Sequence, residues 1–225
     1  MTLLEFARGP ALYFALAVFL VGVIWRLYVV WRFGSRPSFG KPRVANTTGA
    51  AVRTVFTRML PRAGFYPSST LATVNPYVYH LGLAVVAFGY LPHIDFVKRL
   101  TGLSWPALPD WAMYVAAGAS IVSLFIALLF RLTDEVLRLI STFDDYFTWI
   151  VVMLPLITGM ALIATPSEAV VHRQAVLYPV PLALHLLSLE LLLVWFPFGK
   201  LMHAILFIPG RAQFGAFEAR RGVRA

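Results

Sequence analysis

Five long apolar runs decide what this chain can become. They cover roughly residues 10–33, 76–97, 109–131, 146–165 and 176–208 of 225. Each has the length of a membrane-crossing helix, which needs roughly 18 or more mainly apolar residues. Inside a bilayer only helices and closed barrels pair every backbone N–H and C=O, and runs of this length suit helices. The chain is 60% hydrophobic and only 13% charged, too little polar surface for a soluble domain of this size. The sequence therefore predicts an all-α integral membrane protein, one domain over 1–225, with five transmembrane helices. The first run is too long for a signal-peptide core and lacks a small-residue cleavage pattern, so it reads as a retained helix.

The formal charge of +9 follows the loops. Of the 19 Lys and Arg, all but Arg8, Lys98, Arg99 and Arg173 fall on one side of the expected spans. The positive-inside rule then puts the N-terminus outside and the C-terminus in the cytoplasm, in a cell's inner membrane. Topology accounts for the charge, and nucleic-acid binding is not needed to explain it. The 34–75 connection contains NTTGAAVRTVFTRMLP, which sets Val52, Val55, Phe56 and Met59 among Arg53 and Arg58. That pattern predicts a short amphipathic helix on the cytoplasmic membrane surface, with partner docking as the other reading.

No cysteine is present, which excludes iron–sulfur clusters, thiolate heme attachment and Cys-based zinc sites on this chain. The chemistry falls to five histidines, His80, His93, His172, His185 and His203. His185 and His203 lie 18 residues apart in one apolar run. On a continuous helix that is five whole turns, one face and about 27 Å, close to the thickness of the hydrocarbon core. With the second run crossing in the opposite direction, His80 pairs in depth with His203, and His93 with His185. Ionisable groups at such depths are costly and usually functional. Two facing helices with two histidines each suit bis-imidazole heme; zinc would need further ligands, and none is spaced for it. Bonding between helices is the structural alternative. His93 departs from the pattern, because 13 residues after His80 it falls about 220° round an ideal helix. Pro92 can kink or end the helix there and return His93 toward the fifth run.

The run LHLLSLELLLVWFPFGKLMH resembles the last helix of the respiratory nitrate reductase gamma subunit, a diheme cytochrome b, and of heterodisulfide-reductase-type cytochrome b subunits. The match rests on the His185–His203 spacing, the Phe196-Pro197-Phe198 triplet and Lys200; YHLGLAVVAFGY adds His80 and Gly82. The resemblance implies a proximal heme b on His80 and His203, and His185 as a ligand of a distal heme b. The family's other distal ligand falls ten residues after the first, where this chain has Tyr90. Either His93 serves instead, or the distal ligation is altered. The family's quinol-site lysine has no counterpart at Pro109, Asp110 and Trp111.

The expected function is electron transfer between the quinone pool and a peripheral partner, by way of two hemes between helices 2 and 5. Lacking cysteine, the chain cannot complete a redox reaction alone, which implies a cytoplasmic iron–sulfur subunit at the basic loop and tail. The alternative is a heme-free membrane anchor or transporter with structural histidines. Lys200 either snorkels to the interface or pairs with a heme propionate. Glu190 is a proton-relay candidate or a neutral acid bonded to a neighbouring helix. Asp144 and Asp145 read as helix caps, Gly82 and Gly89 as helix packing, and His172 and Arg173 as plain surface.

Overall fold

The computed structural model describes every residue except 35–40, 42, 45, 60–65, 164–165, 173–177 and 224–225, and for 66–69 the backbone alone. All its regular structure is helical. In chain order the helices are α1 (Leu3–Phe33, with a π turn at Ala7–Ala11), α2 (Thr48–Thr57), α3 (Tyr66–Gly89), α4 (Leu91–Thr101) and α5 (Asp110–Thr133). They continue as α6 (Glu135–Ile140), α7 (Phe143–Met160), α8 (Ser167–Val171), α9 (Pro179–Trp195) and α10 (His203–Arg220). Four are long and apolar enough to cross a membrane: α1, the Thr70–Gly89 part of α3, α5 and α7. A fifth span results if α9 and the Lys200–Arg220 stretch are counted together. These helices mark a multi-pass membrane protein.

Two of the expected helices are each two helices. The run over 76–97 stops at Gly89, Tyr90 is extended (φ −81°, ψ 126°), and α4 begins with Pro92 in its first turn. Inside a helix, Pro92 would remove one bond and press its ring on the carbonyl four residues back; in a first turn its missing N–H costs nothing. A left-handed Gly102 (φ 79°) ends α4, its N–H on Lys98 O at 2.8 Å, and Asp95 pairs with Arg99 at 2.5 Å one turn apart. The run over 176–208 likewise breaks. α9 ends at Trp195, Phe196–Gly199 are not helical, and a 3₁₀ turn (Lys200–Met202) leads into α10. Pro197 lies within this break. The uninterrupted helix that put His185 and His203 on one face is therefore corrected: their spacing does not fix a shared face. Residues 176–177 and 164–165 of the expected runs lie outside the described residues, and the fourth run is helical only from Phe143 to Met160.

Backbone contacts divide the chain into two units. The first comprises Met1–Phe19 and Leu71–Trp195. Its core sets Ala117 and Leu124 of α5 against Met153 and Leu156 of α7, with Tyr79, Leu83 and Val86 of α3 packed on them. Polar groups lock these helices. Asn75 Nδ2 donates to Ser123 O at 3.0 Å, and the Ser123 hydroxyl returns to Asn75 O at 2.8 Å, all of it buried. Gly82 allows the close approach of α3 to α5, since a Cβ there would strike Ser120 Oγ and Ala116 O. Asp145 caps α7 by accepting from Thr142 N at 2.9 Å and forms an ion pair with Arg131 at 2.8 Å.

The second unit comprises Leu20–Thr70 and Phe196–Ala225. The amphipathic helix expected near residue 50 is α2, and it packs along α10. Thr54 is buried against Gly215, and Arg211 reaches Val55 O at 3.4 Å and Met59 Sδ at 2.9 Å. Gly22 lies against Pro197, leaving no room for a Cβ.

The Arg131–Asp145 pair gives a direct check on the first unit. Asp145 is buried while Arg131 is about one-third exposed, so removing the carboxylate leaves a partly hydrated cation. Asp145→Ala is expected to destabilise the protein by about 1–3 kcal/mol, with loss of the cap included. Thermal unfolding in detergent reads this as a lowered Tm; an unchanged Tm contradicts it.

Candidate functional site

The break after Gly89 leaves the last carbonyls of α3 without helical donors. The Trp105 indole N–H takes Phe88 O at 2.6 Å, and Leu108 N–H takes Gly89 O at 2.9 Å. His93, one turn into α4, donates from Nδ1 to Val86 O at 3.0 Å. Capping the broken helix therefore also fixes the imidazole. Tyr90, the other residue considered for this position, is almost fully buried and meets His93 edge-on at 5.2 Å between centroids.

His185 on α9 is held by different groups. Its Nδ1 lies 3.2 Å from Thr158 Oγ1 of α7. That hydroxyl has a single hydrogen, directed to Leu154 O at 2.7 Å or Ser188 Oγ at 3.0 Å. The His185 ring also has a backbone hydrogen bond with Pro155, and a carbonyl can only accept. Ser188 donates in turn to His185 O at 2.7 Å, closing a small network between α7 and α9. Gly159 makes room for the ring: a Cβ there would lie 3.1 Å from His185 Cε1.

The two imidazoles come together. Their centroids are 6.3 Å apart and their planes are within 7° of parallel. The Val86 carbonyl can only accept, so His93 carries its proton on Nδ1 and its lone pair on Nε2, the usual state of a metal-ligating histidine with an oriented outer shell. An imidazole nitrogen binds a first-row metal at about 2 Å, and the ring centroid lies about 1 Å behind the nitrogen. Two imidazoles on one ion thus have centroids about 6 Å apart. The 6.3 Å between the two centroids matches that separation. Among the described residues no three His, Cys, Asp or Glu converge on a metal. Two nitrogens alone suit an ion whose remaining positions are filled by a macrocycle, and do not suit tetrahedral zinc.

The remaining candidates are placed separately. His80 lies on α3 in the first unit, exposed, with Nδ1 on Pro76 O at 2.6 Å and its ring 4.4 Å from that of Tyr79. His203 opens α10 in the second unit, also exposed, with Nδ1 on Lys200 O at 2.7 Å. A carbonyl can only accept, so each of these rings is likewise protonated on Nδ1. Lys200 lies on the exposed 3₁₀ turn. His172 pairs with Glu168 at 3.2 Å, both exposed, as a surface residue does; Arg173 lies outside the described residues. Glu190 is buried on α9.

Sequence reading missed Thr158, Gly159 and Ser188. The first two form the only Thr-Gly step in the fourth apolar run, a signal that acquires meaning only once α7 and α9 are known to be neighbours. No protein-family model matches the chain. A protein of Nitratidesulfovibrio vulgaris strain Hildenborough that carries no functional name is 28% identical over 224 residues, covering 96% of this chain and 94% of its own length.

Ring ¹⁵N chemical shifts of metal-free, histidine-labelled protein test this outer shell. Both His93 and His185 are expected as neutral Nδ1–H tautomers. Thr158→Val is expected to mix the tautomers of His185 and leave His93 unchanged; an unaltered His185 would remove Thr158 from the role given to it.

Proposed function

We propose that this chain is the membrane cytochrome b subunit of a quinone-linked oxidoreductase, of the kind represented by the respiratory nitrate reductase gamma subunit. It transfers electrons between the quinone pool and a peripheral iron–sulfur partner. The observation that carries the reading is the parallel His93–His185 pair, its ring centroids 6.3 Å apart and His93 Nδ1 on a main-chain carbonyl.

In this reading His93 and His185 would hold a distal heme b, while His80, His203 and Lys200 are the residues that the resemblance implies for a proximal one. When bound, a heme with two imidazole ligands takes up and returns one electron with little change in ligation. The chain's own residues do the positioning. Val86 O and Thr158 Oγ1 fix the two distal rings and raise their basicity toward a metal. The hydrogen bonds from His80 to Pro76 O and from His203 to Lys200 O supply the same outer shell at the other two candidates.

The chain is placed in the inner membrane with its N-terminus outside and its C-terminus in the cytoplasm. The second unit supports this orientation, because α2, α10 and their flanks carry Arg43, Arg53, Arg58, Arg211, Arg220 and Arg221. Several of these stack on aromatic rings: Arg58 lies 5.1 Å from the Phe214 centroid and Arg221 4.0 Å from that of Phe217. A basic, aromatic surface of this kind suits both the anionic inner leaflet and the iron–sulfur partner that a cysteine-free chain requires.

Purified protein reduced with dithionite is expected to show b-type absorption bands, with two hemes per chain by quantification. His93→Ala and His185→Ala should each remove one heme, the same one; His80→Ala and His203→Ala should each remove the other. Absence of b-type bands would leave a heme-free membrane anchor or transporter, and an unchanged heme content in His93→Ala would overturn the distal assignment.

A further inference from the structure

Glu190 lies in the wall of a cavity separate from the histidine pair. The cavity is an open groove of about 430 Å³ between the start of α1 and α9. Phe6, Pro10, Phe14, Leu187 and Leu191 line it with Glu190. Every lining residue but Glu190 is apolar, so no cation within the cavity balances the acid. Glu190 itself is only 5% exposed, and its Oε2 is the one buried side-chain nitrogen or oxygen without a hydrogen-bond partner among the described residues.

Such an atom is costly to leave unsatisfied, and a native structure usually has a reason for it. The opposite wall is also irregular. Ala7–Ala11 form a π turn around Pro10, and π turns inside long helices are common at functional sites. The groove gives a partner for Glu190 a way in from outside the protein. The apolar lining requires a body that dissolves in lipid, and the acid requires a small polar head. A carboxyl group both donates and accepts hydrogen bonds, and a hydroxyl answers both functions without bringing a charge.

We infer that this cavity is a binding site for a lipid-soluble hydroxyl compound whose hydroxyl bonds to the Glu190 carboxyl. A quinol and a lipid alcohol share that chemistry. The site does not depend on heme ligation by His93 and His185.

The test compares three probes by isothermal titration against the full chain in detergent: a short-chain naphthoquinol, its dimethyl ether, and dioctanoylglycerol. The ether keeps the body of the quinol and lacks its hydroxyls. Wild type is expected to prefer a hydroxyl probe over the ether by about tenfold, the worth of one good hydrogen bond. Glu190→Leu is expected to abolish that preference, and Glu190→Gln to retain most of it. Ala11→Phe should fill the cavity and weaken all three probes. The tighter of naphthoquinol and dioctanoylglycerol identifies the natural source, and either supports the site. His93→Ala is expected to bind as wild type does, which separates this site from the heme assignment. A hydroxyl preference that survives Glu190→Leu, or none in wild type, overturns the inference.

Discussion

A membrane helix that stops must find donors for its last carbonyls, and the first unit is organised around one such stop. In water, solvent would pair the freed oxygens of α3; within an apolar core each unpaired carbonyl costs several kcal/mol. Pro92 prevents the helix from continuing, and Tyr90 turns the chain. Trp105, Leu108 and His93 then take up the carbonyls of Phe88, Gly89 and Val86. One of those caps is an imidazole whose orientation is thereby fixed by the backbone. The packing of α9 on α7 brings His185 to face it. The pair is thus a consequence of how a broken helix satisfies its hydrogen bonds.

The two rings of the pair are held unequally, and this has a chemical meaning. His93 answers to a main-chain carbonyl, which no side-chain substitution can remove. His185 answers both to the Pro155 main chain and to the Thr158 hydroxyl, itself shared with Leu154 and Ser188. A hydroxyl can rotate and exchange partners, so the contact of His185 with Thr158 is the one open to change by mutation. Gly159 adds a steric setting to the same ring.

The amino-acid pattern revealed the helical class, the apolar runs and the amphipathic α2, because each depends on residue types repeated over ten or more positions. The helix breaks were harder. Pro10, Pro76, Pro155 and Pro209 all sit inside helices here, so a proline in an apolar run does not announce a stop. Pro92 was suspect only because His93 otherwise pointed away from its partner. Pro197 had no such witness, and an unbroken helix from 176 to 208 was the natural reading. The Thr158–Ser188 network lay beyond reach, since residues 30 apart are joined only by the packing of α7 on α9. His93 was legible as an anomaly, and its hydrogen bond to Val86 gives the anomaly its physical basis.

The central claim is that His93 and His185 bind one heme between parallel imidazole planes. Low-temperature EPR of the oxidised protein addresses it most directly, because the relative orientation of two axial imidazoles sets the anisotropy of a low-spin ferric heme. The 7° between the ring planes leads to a rhombic low-spin signal that disappears in His93→Ala and in His185→Ala. Variant spectra that lose no rhombic component relative to wild type, or no low-spin ferric signal in wild type, would contradict the account.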